Sequence, residues 1–210
     1  MNLDTENSEN LLLIFVKNLE LGKVKTRLAQ SIGNQAAFEV YEHLLNLTEE
    51  VSLSLKNCVV HVYFSDYLDE KRWKNQEKFI QCPGDLGAKM EEAFQNGFSL
   101  GFQRIICIGS DLPDLSKSLI HQAFEELKQI DSVFGPADDG GYYLIGLKQA
   151  HSFIFENKSW STEDLFKETI EELENNRIKF HLLETLNDID TLEDLKNSNL
   201  TLHFSHYLNL

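Results

Sequence analysis

The stretch from Leu11 to Val16 is apolar at every position and too short for an ordinary helix. Such a run, without period-two alternation, is the pattern of a strand buried on both faces of a parallel sheet. Cys58 to Phe64 and Arg104 to Ile108 read the same way, and Ser132 to Phe134 and Tyr142 to Leu147 follow as later strands. Between them the apolar period lengthens. Gln35 to Leu55 gathers Ala37, Val40, Tyr41, Leu44, Leu45 and Leu47 near one helical face, and Leu86 to Phe98 does the same with Leu86, Met90, Ala93, Phe94 and Phe98. Leu119 to Leu127 and Leu165 to Leu173 repeat the pattern, while the tail from Asn199 onward fits no element.

Strands alternating with helices predict an α/β fold, a mostly parallel twisted sheet flanked by helices, because parallel neighbours need crossover connections. Ligands in such sheets bind beyond the carboxyl ends of the strands. No repeat or linker divides the chain, so one domain is expected over residues 11–210 behind a polar tail at residues 1–10.

The composition narrows the partners. A formal net charge of -15 opposes nucleic acid and anionic membranes, leaving a small molecule as the expected partner. The cysteines Cys58, Cys82 and Cys107 have no paired spacing, which excludes a disulfide framework. The apolar run after the acidic start ends at Lys17, too short for a signal peptide or a membrane span, so the chain is expected in the cytoplasm.

Four segments carry candidate chemistry. Directly after the first strand, Gly22 and the cations Lys23, Lys25 and Arg27, with Thr26 between them, form a basic loop in an acidic chain. Glycine permits close backbone approach, and the cations can neutralise a diphosphate. The spacing is neither that of a Walker loop nor that of a dinucleotide fingerprint. A solvated basic loop is the plain alternative. The strand ending at Ile108 leads into Gly109-Ser110-Asp111-Leu112-Pro113-Asp114, which places Asp111 where magnesium or manganese could be held by one or two carboxylates. Asp114 is better read as a cap for the helix at Lys117. In Asn187-Asp188-Ile189-Asp190-Thr191, Asp190 or Thr191 can cap a short helix, with Asp194 in its first turn; paired with Asp111, Asp190 becomes a second candidate metal ligand. Asp138-Asp139-Gly140-Gly141-Tyr142 reads as a hairpin turn, or as a site where an acid accepts a hydrogen bond or a proton beside an aromatic ring. In Trp160-Ser161-Thr162-Glu163-Asp164, Ser161 reads as a helix cap.

Taken in order, GKVKTRLA, GDLGAKM, IGSDLPDL, GPADDGGYYLIGL, the Trp-Ser-Thr segment and DIDTLEDL resemble the bacterial DUF2064 family of GT-A-like proteins, described as nucleotide-diphospho-sugar transferase-like and linked to radical-SAM-associated and arsenosugar biosynthesis clusters. The likeness runs from Leu11 to about Leu195. It implies a three-layer α/β/α GT-A fold, and it extends more distantly to nucleotidyltransferases. By that resemblance Gly22, Lys23, Lys25 and Arg27 match a nucleotide-binding loop, Asp111 a metal-binding acid and Asp190 a second ligand. Gly84, Asp85, Leu86 and Gly87 match a signature placed near the nucleobase or ribose. Leu19 stands where the family commonly has proline.

The implied activity is glycosyl transfer from a nucleoside-diphosphate sugar at Mg or Mn to an unidentified acceptor. Asp138 or Asp139 would act on the acceptor hydroxyl, and Gly140, Gly141 and Tyr142 would line its site. Nucleotidyl transfer from an NTP uses the same groups, and a nucleotide-binding module without catalysis is the third reading.

Overall fold

The structure, a computed structural model, describes residues 8–160 and 162–208. Its strands are β1 (Asn10–Val16), β2 (Val59–Phe64), β3 (Glu77–Ile80), β4 (Arg104–Ile108), β5 (Ser132–Pro136), β6 (Tyr142–Leu147) and β7 (Phe180–Leu182). They form one sheet in the order β3-β2-β1-β4-β6-β5-β7. Every neighbouring pair is parallel except those made by β6, which runs antiparallel to both β4 and β5. The helices are α1 (Thr26–Ile32), α2 (Asn34–Leu53), α3 (Leu86–Ser99), α4 (Lys117–Gln129), α5 (Leu165–Asn175) and α6 (Leu192–Asn197).

The continuous apolar runs are explained by burial on both sides. Leu12, Ile14 and Val16 of β1 point into a core shared with α2 and α4, while Leu11 and Leu13 point into one shared with α3 and α5. Helices therefore cover both faces of the sheet, and each apolar side chain of β1 removes its surface from water whichever way it alternates. Gly97 lets α3 approach closely, since a Cβ there would lie 2.6 Å from Ile105 and 2.7 Å from Leu11. A third cluster joins Leu28 of α1, Val40 and Leu44 of α2, Leu195 of α6 and Leu200, Phe204 and Leu208 of the final segment. The tail without a sequence pattern is thus a strap over α1 and α2, closed by a 3-10 turn at Ser205–Tyr207.

Several boundaries differ from expectation. The polar tail ends earlier than Asn10, which opens β1, and Glu9 already accepts from the Arg104 guanidinium at 2.5 Å. The basic segment after β1 is not all loop, because α1 starts at Thr26. Ser116, not Asp114, caps α4 by accepting from Leu119 N at 3.2 Å, while Asp114 accepts from the Asn199 amide at 2.8 Å. Thr191 caps α6, with Asp194 completing a capping box. Ser161 lies outside the described residues. No helix among the described residues is long and apolar enough to cross a membrane.

Candidate functional site

The site forms at the carboxyl ends of β1 and β4, adjacent parallel strands whose following loops must meet. Leaving β1, the chain turns at Gly22 (φ 80°) and reaches Lys25, which sits in the left-handed region at φ 45° and ψ 49° as the residue before α1. That conformation costs an L-residue roughly 1–2 kcal/mol. It carries the Lys25 side chain inward, leaving it 7% exposed.

There the ammonium donates to Asp111 Oδ2 at 2.9 Å and lies 4.0 Å from Asp190 Oδ1. Arg27, in the first turn of α1, donates to Asp190 Oδ2 at 2.7 Å from the exposed side. Burial alone would lower the Lys25 pKa, but Asp111, Asp188 and Asp190 together raise it, so the ammonium stays charged. The basic loop and the two acids thus converge on one crevice.

Backbone bonds fix this arrangement. Ile189 N donates to the Asp111 carbonyl at 3.2 Å, registering the segment after β7 against the end of β4. Asp194 Oδ2 accepts from the backbone N–H of Asp190 at 3.1 Å and of Thr191 at 2.6 Å, which holds the Asp190 backbone while its carboxylate faces the cations. On the other side Tyr41 of α2 clamps the start of the loop. Its hydroxyl donates to Lys17 O at 2.9 Å and accepts from Lys17 N at 3.1 Å. Its single proton being used, it accepts from Ser110 Oγ at 2.9 Å. Burial pushes the Tyr41 phenol up to about 12.

Asp188 is the residue sequence reasoning passed over. In the extended segment before α6, positions two apart share a face, so Asp188 and Asp190 both turn toward Asp111. That spacing was the available signal. Burial, and then the nearby Asp111, push the Asp188 carboxyl up to about 7, with Asp139 and Asp190 adding to the rise and Lys25 opposing it. The crevice thus holds three acids, with Lys25 and Arg27 as the cations paired to Asp111 and Asp190.

Beside this cluster a cavity of about 250 Å³ opens, with Asp111, Asp139 and Asp188 among its lining residues and mostly apolar walls. Of the other sequence candidates, Leu86, Gly141 and Tyr142 also line it. Asp138 does not; its backbone N–H and carboxylate form a reciprocal pair with the Asn187 side chain at 2.9 and 2.7 Å. Asp139 instead accepts from Gly141 N at 2.8 Å inside the β5–β6 hairpin turn, which the Asp-Gly pair predicts. Gly140 (φ 85°) packs so closely that a Cβ would lie 2.1 Å from the Glu163 carbonyl. Lys23 pairs with Glu20 at 2.6 Å and is 71% exposed, apart from the acids.

The Gly84 to Gly87 signature divides in two. Gly84 (φ 127°) and Asp85, which caps α3 through Ala88 N at 2.9 Å, shape the helix start. Gly87 is buried, and a Cβ there would lie 2.3 Å from the Phe155 carbonyl and 2.7 Å from Trp160 Nε1. A glycine at this position seats the Trp160 wall.

Among the described residues no group of three or more acidic, imidazole or thiol side chains is arranged as a metal site. Asp111 and Asp190 remain a two-carboxylate set, both within reach of Lys25. Such a pair fits magnesium or manganese, which take the remaining ligands from water and phosphate oxygens.

Residues 46–162 match the family described as "Uncharacterized protein conserved in bacteria (DUF2064)". The chain belongs to this family. It is similar to a crystal structure from Desulfovibrio desulfuricans G20, described provisionally as a nucleotide-diphospho-sugar transferase, with 30% identity, a TM-score of 0.85, and coverage of 96% of this chain and 94% of that one. It is also similar to 2-phospho-L-lactate guanylyltransferase of Methanocaldococcus vulcanius, at 23% identity over 196 residues, covering 88% of this chain and 82% of the relative. At the level of fold alone it is similar to 4-diphosphocytidyl-2C-methyl-D-erythritol synthase from Anaerococcus prevotii, with 12% identity, a TM-score of 0.55, and coverage of 93% and 99%. The DUF2064 chain therefore has the three-layer GT-A fold, with β6 as the antiparallel member of its sheet.

Proposed function

We propose that this DUF2064 protein is a nucleotidyltransferase that joins the nucleoside monophosphate part of an NTP to a small acceptor and releases pyrophosphate. The observation that carries this reading is the buried Lys25 ammonium, held by Asp111 beside Asp190 at the carboxyl ends of β1 and β4. A fixed cation and two carboxylates at that point suit a reaction whose main demand is charge neutralisation at phosphoryl oxygens. The guanylyltransferase relative, matched over most of its length, supports it over glycosyl transfer.

In this reaction an acceptor oxygen attacks the α-phosphorus. The bond from that phosphorus to the oxygen bridging the β-phosphate breaks, and pyrophosphate departs with the electron pair. Lys25 and Arg27 bind the phosphate oxygens, and Lys25 needs no reorientation because its backbone already aims it inward. Gly22, Lys23 and Thr26 shape or extend the same phosphate loop, and Gly84, Asp85 and Leu86 border the nucleoside. Asp111 and Asp190 would hold Mg or Mn, which when bound offsets phosphate charge. Asp139 or Asp188 accepts the acceptor's proton where the acceptor is a hydroxyl.

Glycosyl transfer from an NDP-sugar is the second reading, favoured by the relative from Desulfovibrio and by a cavity free of cationic lining. There Asp139, with Asp138 behind it, would serve the acceptor hydroxyl. The two are separated by incubating the purified protein and Mg with NTPs or NDP-sugars, using a small-molecule cell extract as acceptor source. Pyrophosphate release from an NTP, lost in Asp111→Asn, is expected. Release of free NDP from an NDP-sugar without pyrophosphate formation would overturn nucleotidyl transfer.

A further inference from the structure

The cavity beside the acids has a chemistry of its own. Phe15, Met90, Ile108, Leu115, Tyr142 and Trp160 supply walls, and no lysine, arginine or histidine is among its lining residues. Its charged lining consists of Asp111, Asp139 and Asp188. Lys25 serves Asp111 from the loop side without lining the cavity. At about 250 Å³ it is smaller than the roughly 300 Å³ at which pockets for drug-sized ligands begin.

Trp160 is packed against Gly87, where a Cβ would lie 2.7 Å from its Nε1, which makes this wall a built surface.

We propose that this cavity takes the organic body of the acceptor, and that the body is small, largely apolar and uncharged or cationic. An anionic body is rejected. A carboxylate or second phosphate seated there would face three acids with no cation among the lining residues, and like charges repel strongly in a partly dehydrated site. Any phosphate the acceptor carries stays at the mouth, on Lys25 and Arg27. The inference rests on the nucleotidyl-transfer reading only in naming the occupant an acceptor.

The test uses three probes of nearly equal shape, benzyl alcohol, benzylamine and benzoate, added to the full chain at pH 8, where benzylamine is charged. Binding is followed by the indole N–H resonances of the two tryptophans. Trp73 Nε1 donates to Ser52 Oγ at 2.9 Å in the core, so its resonance stays fixed as an internal reference. The alcohol and the amine are expected to shift the Trp160 resonance, and benzoate to bind at least tenfold more weakly than the amine. Asp139→Asn, a change at an exposed position, should narrow that gap at least threefold.

Benzoate binding as tightly as benzylamine would overturn the charge rule, and no response of Trp160 to any probe would overturn the assignment of the cavity. A parallel melting measurement with NTPs and Mg separates the two readings. Probe binding without any nucleotide response sinks nucleotidyl transfer and spares the cavity, whereas nucleotide stabilisation without probe binding does the reverse.

Discussion

The Lys25 ammonium lies 2.9 Å from Asp111 Oδ2, although 86 positions separate the two residues in the chain. The parallel pairing of β1 with β4 makes this contact possible, because it brings the loops after both strands to one end of the sheet. The pair then works as a unit. Lys25 is the cation bonded to Asp111, while Arg27 holds Asp190 from the exposed side, and without Lys25 the repulsion among Asp111, Asp188 and Asp190 is less relieved.

Lys25→Met is therefore expected to damage both activity and stability. Breaking a fully buried pair costs about 3–5 kcal/mol. Asp111 is 34% exposed, which reduces the expectation to roughly 1–2 kcal/mol. Turnover should fall by about 100-fold or more, the scale seen when one preorganised donor is removed from a charge-stabilising site. Denaturant titration of Lys25→Met and of Lys25→Met/Asp111→Asn checks the stability part, since the double variant should recover part of the loss. A double variant no more stable than the single one would refute the coupling.

Asp188 gives a prediction in pH. Its folded-state pKa is raised from 3.8 to about 7, so the folded protein binds this proton more tightly than the unfolded chain does. The stability it contributes is fully present below the unfolded value and is lost as pH rises through the folded one. Asp188→Asn keeps the neutral shape at every pH. In EDTA, its Tm should match wild type at pH 4 and exceed it at pH 8 by roughly 2–4 °C for each kcal/mol relieved. Equal melting temperatures at pH 8 would contradict the burial and repulsion assigned to this carboxyl.

Much of the fold was legible because strong hydrophobic patterns coincide with double-sided burial. β4 and β6 have the predicted limits, Arg104–Ile108 and Tyr142–Leu147, since every residue between has a reason to be apolar. β3 was not legible. It is an edge strand, Glu77–Ile80, with no fully buried residue, and its two polar residues followed by two apolar ones show no alternation. β7, Phe180–Leu182, is shorter still and also lies at an edge.

In the site, Lys25, Arg27, Asp111 and Asp190 were readable from charge placed just beyond apolar strands, and the structure brings them together. Asp188 was marked only by its two-residue spacing from Asp190, and the choice between Asp138 and Asp139 was not readable. That choice depends on which way a short non-helical turn directs its side chains, which is decided by contacts far away in sequence, such as Asn187 with Asp138.

Gly87→Ala tests the wall. The added Cβ would meet the Phe155 carbonyl at 2.3 Å and the Trp160 ring at 2.7 and 2.8 Å. A backbone carbonyl cannot rotate aside, so overpacking of about 1–3 kcal/mol is expected. Trp160 should move with it. Tryptophan fluorescence and the indole N–H resonance of Trp160 should change while that of Trp73 does not; an unchanged Trp160 signal would mean that this contact does not set the ring's position.

The final segment supplies the last prediction, because it couples a position remote from the crevice to the phosphate loop. Phe204 is 4% exposed and belongs to the cluster that contains Leu28 of α1 and Val40 and Leu44 of α2. α1 carries Arg27 and begins directly after Lys25, and its Leu28 is its buried anchor. Removing the Phe204 ring should cost about 3–5 kcal/mol, the range for large-to-small changes in a core. Because the loss falls on the support of α1, Phe204→Ala should also loosen Lys25 and Arg27. The expected signature is a drop in Tm together with weaker stabilisation by NTPs and Mg, whereas Phe124→Ala, in the core beneath α4, should lower Tm without a comparable loss of nucleotide response. Equal loss of nucleotide response in both variants would show that the effect is global destabilisation and not transmission through α1.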